Sequence, residues 1–176
     1  MIMLRRYALV FAMAAFLLVP AAQAQLRNSD AFFGYSRLGS NAFYPNTGGL
    51  NGWDAAVHIH LAPFFGGEAD VSHWGIGASA ATPKTTSVMV GPRLTVKALG
   101  FSVFAHGLIG GEHSSNSGGG VSVSGGAFTY AIGGGLDVPL LPFFAWRVGG
   151  DRIDAPTSNP SGANHYRINM GLVFRF

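Results

Sequence analysis

Cysteine is absent from the 176 residues of this sequence, which excludes a disulfide framework, a thiolate metal centre and a thiol redox pair. Charge is scarce too. Asp, Glu, Lys and Arg make up 11% of the chain, where soluble domains carry about 25%. After residue 25 no window stays apolar for the roughly 18–20 residues that a membrane helix needs, and apolar positions do not recur at helical spacing. The glycine runs at 118–120 and 133–135 complete neither G-x-G-x-x-G nor G-x-x-x-x-G-K-[ST], so no phosphate-cradling loop is expected. With 48% hydrophobic residues, the chain is nonetheless too apolar to be disordered.

The positive charge has a local origin. Lys and Arg number 11 against 8 Asp and Glu, a formal +3, but Arg5 and Arg6 belong to a short basic start that leads into an apolar run at 7–19. Pro20 and the small-x-small trio Ala22, Gln23 and Ala24 follow. This pattern predicts a cleavable secretory signal peptide over 1–24 and a mature domain over 25–176. Removing the two arginines leaves 9 against 8, or +1. No Lys/Arg cluster remains, and nucleic acid is not an expected partner.

What the mature chain has is a period of two. At the C-terminus Tyr166, Ile168, Met170, Leu172, Phe174 and Phe176 alternate with His165, Arg167, Asn169, Gly171, Val173 and Arg175. Twelve alternating residues make a strong strand signal. Segment 52–62 sets Trp53, Ala55, Val57, Ile59 and Leu61 against Asp54, Ala56, His58 and His60. Segments 88–98, 101–112 and 128–138 alternate likewise, and 32–40, 67–77 and 143–154 do so more weakly. Eight strands are predicted.

Their connections alternate in length. Tight ones are expected at 63–66, 99–100 and 139–142, and long polar or Gly-rich ones at 41–51, 78–86, 113–125 and 155–164. In up-and-down antiparallel order all the short turns gather at one end, the asymmetry of a bacterial outer-membrane barrel. Aromatic residues fit two interfacial girdles. Phe32, Phe33, Phe64, Phe65, Phe101, Phe143, Phe144 and Phe176 lie at the short-turn end, and Trp53, Trp74, Phe128 and Tyr166 near the long-loop end. A soluble barrel has the same period, but aromatic bands at both ends and small or charged residues on the other face favour a membrane barrel.

The chain resembles the small eight-stranded OmpA-like, or porin-family, outer-membrane barrels over its whole mature length. The ending from Arg167 to Phe176, the strand from Val90 to Val96 and the hairpin through Phe101 to Gly111 carry the resemblance. It implies an all-β transmembrane barrel in the bacterial outer membrane. It also implies that Phe176, with Phe174, Leu172 and Met170, forms the signal read by the barrel assembly machinery. Larger members add a periplasmic peptidoglycan-binding domain after the barrel; here the sequence ends on the last strand, and no cell-wall tether is expected.

Alternation assigns Asp54, Glu68, Asp70, Asp137 and Asp151 to the lumen, with Arg93, Lys97, Arg147, Arg167 and Arg175. Five acids meet five bases. An eight-stranded barrel is just wide enough for side chains to fill, and such charges are tolerable only when paired. A plugged lumen is therefore expected, with a narrow porin for small solutes as the alternative. His58 and His60 share a face and could meet His106 or Asp54 at a metal, but spacing fixes no third ligand, so they are taken as lumen fillers that hydrogen-bond to carboxylates. Neither a metal nor another cofactor is expected.

His113 and Ser115 fall on the lipid side, as in outer-membrane lipid A deacylases, yet the carboxylate that would orient the histidine is missing. A lipid A-modifying enzyme is thus a second alternative, and a non-enzymatic monomer the expectation. Its partners would be outer-membrane lipid, the assembly machinery and an unidentified ligand of the external loops. Those loops, rich in Gly, Ser, Asn and Thr, name no ligand.

Overall fold

The computed structural model describes residues 29–39, 49–75, 84–118, 121–156 and 164–176; the expected signal peptide lies outside them. Eight strands follow one another: β1 (Asp30–Leu38), β2 (Leu50–Ala62), β3 (Phe65–Trp74), β4 (Lys84–Ala98), β5 (Phe101–Gly118), β6 (Val121–Leu141), β7 (Phe144–Asp154) and β8 (Asn164–Arg175). Each pairs antiparallel with the next, and β8 pairs with β1, closing the barrel. Closure leaves no strand edge along the paired body, the requirement for crossing a bilayer with strands.

The three tight connections lie where turn residues predicted them. Pro63 and Phe64 turn between β2 and β3, and Pro142 and Phe143 between β6 and β7. Between β4 and β5, Leu99 (φ 52°) and Gly100 (φ 85°) both have positive φ, the backbone of a two-residue hairpin whose twist matches its strands. The expected long connections at 41–51, 78–86 and 155–164 fall largely outside the described residues.

The one at 113–125 is corrected. β5 runs to Gly118 and β6 starts at Val121, with Ser115 opposite Ser124 and Gly118 opposite Val121. Ser and Gly compose like a loop, but a two-stranded ribbon needs only its backbone ladder, which side-chain composition does not report.

The faces are those of an inside-out protein. Val57, Ile59, Val90, Leu94, Val96, Val103, Ile109, Ile132, Val148, Ile168 and Leu172 point outward and are exposed, while the buried set is dominated by Asp, Arg, His, Ser and Thr. Two girdle assignments are overturned by parity. Trp74 shares its face with Glu68, Asp70 and Ser72, points into the lumen and is fully buried. Phe32 points inward at 4% exposure whereas Phe33 is 64% exposed, because consecutive strand residues face opposite sides.

Inside, Leu38, Leu50, Trp74, Met89, Leu108, Ala131 and Ile153 form an apolar layer on the long-loop side. Phe32, Ala56, Ala145 and Val173 form a smaller cluster on the wall of β7, β8, β1 and β2. At the β8–β1 seam, Gly34 and Gly171 are register partners. A Cβ on Gly34 would meet the backbone oxygen of Met170, and would stand 2.7 Å from the Phe32 ring and 2.8 Å from the Gly171 Cα. Only glycine allows the seam to close this tightly.

The lumen ion network as the candidate functional site

Alternation in all eight strands aims ionisable groups at the barrel axis, and the stagger of the strands decides who meets whom. Two arginine–aspartate pairs join residues directly opposite on neighbouring strands. Arg147 of β7 grips Asp137 of β6, Nε to Oδ1 at 2.7 Å and Nη2 to Oδ2 at 2.9 Å. Arg167 of β8 meets Asp151 of β7, Nε to Oδ2 at 2.5 Å.

Asp30 and His58, register partners on β1 and β2, make a third such contact, and further links join these pairs along neighbouring strands and across the lumen. Arg147 Nη2 donates to Asp30 Oδ1 at 3.0 Å, and Asp30 Oδ2 lies 2.9 Å from His58 Nδ1. Arg93 donates to Glu68 at 2.9 Å and stands 3.5 Å from Asp137. His106 bridges Glu68 and Asp151, with Nδ1 2.8 Å from one carboxylate and Nε2 2.6 Å from the other. Both contacts are satisfied when the ring carries both protons. Arg167 Nη1 continues to Asp70 at 2.8 Å and to the Ser72 hydroxyl at 2.5 Å, and lies 3.6 Å from Asp54. Asn169 donates to the same Asp54 oxygen, Oδ2, at 2.7 Å. One network thus runs from His58 at the short-turn half to Asp54 and Asn169 beneath the apolar layer.

Aromatic rings and glycines shape its space. The Arg93 guanidinium lies 3.9 Å and that of Arg147 4.6 Å from the Phe104 ring centre, so one aromatic ring receives two cations. A Cβ at Gly133 would run into Asp151 Oδ1, and one at Gly135 would stand 2.8 Å from the Phe104 ring. The glycine run at 133–135 is therefore room for the network. Above it, Trp74 Nε1 donates to Ser36 Oγ at 3.0 Å over Gly52 of the intervening strand β2.

Of the ten residues expected in the lumen, eight enter this network: Asp54, Glu68, Asp70, Arg93, Asp137, Arg147, Asp151 and Arg167. Lys97 is exposed, and Arg175 is half-buried at the short-turn end, 3.5 Å from Ser102 Oγ. Sequence reasoning missed Asp30, because it began the first strand at residue 32; it expected His58 to hydrogen-bond a carboxylate, as it does, without naming which one, and gave His106 no carboxylate partner. Six buried acids therefore face three arginines and two histidines. Starting β1 two residues earlier, by the alternation of Asp30 with Phe32 and Ser36, was the available signal.

His58 and His60 stack edge-on, ring centres 4.4 Å apart, but His106 is held elsewhere by Glu68 and Asp151. Among the described residues no group of three or more His, Cys, Asp or Glu is arranged to hold a metal. His113 is exposed and paired with Thr86 and Gly126, and Ser115 is paired with Lys84 and Ser124. Glu112 sits on the inward face, its carboxylate accepting the Ser114 hydroxyl at 3.3 Å. Of the expected assembly signal, Met170, Leu172, Phe174 and Phe176 all face outward. Phe176 stacks on Phe174 with ring centres 6.0 Å apart, and its N–H bonds to the Ser29 oxygen at 3.0 Å.

No protein-family model matches the sequence, and no curated protein matches it. Solved structures do match. Neisserial surface protein A superposes with a TM-score of 0.63 at 10% identity, over 84% of this chain and 96% of that one. The N-terminal β-barrel domain of Pseudomonas aeruginosa OprF gives 0.53 at 13% identity, over 84% and 98%. Ail, the attachment invasion locus protein of Yersinia pestis, gives 0.51 at 18% identity, over 84% and 97%. In strand number, closure and topology, the chain has the fold of the eight-stranded bacterial outer-membrane β-barrels.

Proposed function

We propose that the protein is a monomeric, non-enzymatic barrel of the bacterial outer membrane, plugged by its own ion pairs, that acts as a structural or surface-interaction element through its long-loop end. The observation that carries this is the unbroken lumen network under an apolar layer: Asp30 to Arg167 occupy the axis, and Trp74 with Leu38, Met89 and Ile153 lies over them. A lumen filled in this way has no solute path, which sets the structural role above the narrow porin. The placement of Glu112 on the face opposite His113 sets it above a lipid A-modifying enzyme. The same fold serves the Neisserial surface protein and the Yersinia attachment invasion locus protein, which supports a role at the outer face.

A peptide tag inserted within 157–163 tests the surface role. Antibody should label intact cells, and the tagged protein should fractionate with the outer membrane and migrate faster unheated than boiled. Tag detection only after cell lysis, with the protein soluble in the periplasm, would overturn it.

A further inference from the structure

Charge on the outward surface of the barrel is confined to one end and, on five neighbouring strands, to one sign. The chain has eight carboxylates, and all lie among the described residues. Six sit in the lumen network and Glu112 faces inward. Only Asp154 is left, and it pairs with Arg152 at 3.2 Å on β7. No acid therefore stands on the outward face of β1–β5, yet Arg37, His73, Lys84 and His113 all point outward there at the long-loop end. The outward residues toward the short turns, such as Phe33, Ile59, Leu94 and Val103, carry no charge at all.

The ladder arranges these groups in two adjoining rows. Arg37 pairs with Asn51, the Asn51 oxygen receives the Gly75 N–H at 2.9 Å, and Lys84 follows on β4 opposite Ser115. One step toward the midplane, Tyr35, Trp53, His73, Thr86 and His113 are successive register partners. Asn51 Oδ1 accepts from both the Tyr35 hydroxyl at 2.6 Å and Arg37 Nη1 at 3.1 Å, which fixes the guanidinium at the rim. Arg37 and Lys84 stand three strand spacings apart, about 14 Å at the usual separation. That is too far for one phosphate to bridge and suits a headgroup bearing more than one.

We propose that the outward face of β1–β5 at the long-loop end binds the phosphorylated sugar headgroup of an outer-leaflet glycolipid, with Arg37 and Lys84 taking its phosphates and Tyr35 and Trp53 lying at the sugar–acyl boundary. Cations at a bilayer interface are neutralised by lipid phosphate, and amphipathic rings settle at that depth. The inference rests on the membrane assignment made under the proposed function, and it names the lipid class that this surface selects.

The test uses the full chain, refolded in detergent micelles, with bisphosphorylated lipid A added and bound lipid read by native mass spectrometry. Wild type should retain lipid A, and Arg37→Gln/Lys84→Gln should weaken retention roughly tenfold or more. The charge-conserving Arg37→Lys/Lys84→Arg and the remote Arg152→Gln should leave it unchanged. Equal retention of dephosphorylated lipid A, or no loss in the double variant, would overturn the proposal. Displacement by excess inorganic phosphate would overturn it too, by marking a free-anion site. A barrel that never acquires heat-modifiable migration faults the membrane assignment; one that does and still retains no lipid A faults this inference alone.

Discussion

Arg167 and Asp151 are register partners on β8 and β7, and their side chains close the shortest ion pair of the lumen, 2.5 Å from Nε to Oδ2, with both residues buried. The pairing is directly cross-strand, so the same ladder that shapes the barrel aims the charges. Replacing Arg167 by Gln strands Asp70 and Asp54 without a cation and leaves Asp151 only His106. The expected cost is about 3–5 kcal/mol, read as a lower urea midpoint for the refolded protein. Arg167→Met with Asp151→Asn should cost less than the sum of the two single changes, since each removes the other's unpaired charge. Additive losses would show that the pair is not coupled.

Trp74 lies inside and Trp53 and Trp146 outside, Trp146 at 39% exposure against none for Trp74. Lipids with brominated acyl chains should therefore quench the fluorescence of Trp53 and Trp146 and leave that of Trp74 unchanged. Pairwise Trp→Phe variants that keep one indole each make the comparison. Quenching of Trp74 alone would invert the assigned faces.

The glycine pair at the seam makes a sharp prediction about closure. Gly34→Val puts a branched side chain against the backbone of Met170 and the Phe32 ring, and the variant should fail to reach the fast-migrating form on unheated gels. Gly67→Ala, where a Cβ meets nothing within 4 Å, should migrate as wild type.

Phe176 is held by backbone and stacking at the last strand, yet it is 46% exposed, so its removal costs little packing. Phe176→Ala should refold in detergent almost as well as wild type but lose outer-membrane assembly in cells. Equal loss in both settings would make the residue a stability element instead of a signal.

Periodicity made much of this legible. Alternation of Arg167, Asn169 and Val173 with Ile168, Leu172 and Phe174 states both the strand and its two environments, and Leu99-Gly100 states its turn. What alternation does not carry is stagger between strands. That Arg147 reaches Asp30 from β7, or that His106 bridges β3 and β7, depends on the shear of the closed sheet. Lys97 shows the other limit: it has lumen parity, but it lies at the short-turn end of β4, where it is exposed. Trp74 was misplaced because aromatic position was read without its parity, although Asp70 and Ser72 on the same face already fixed it.

Conductance of the refolded protein in a planar bilayer tests the plugged lumen most directly. Wild type should give no stable ion-sized openings, while Arg93→Ala/Arg147→Ala, which empties the space around Phe104, should give them or raise leak. Steady single-channel openings from the wild-type barrel, unchanged by those substitutions, would contradict the account and make the lumen a pore.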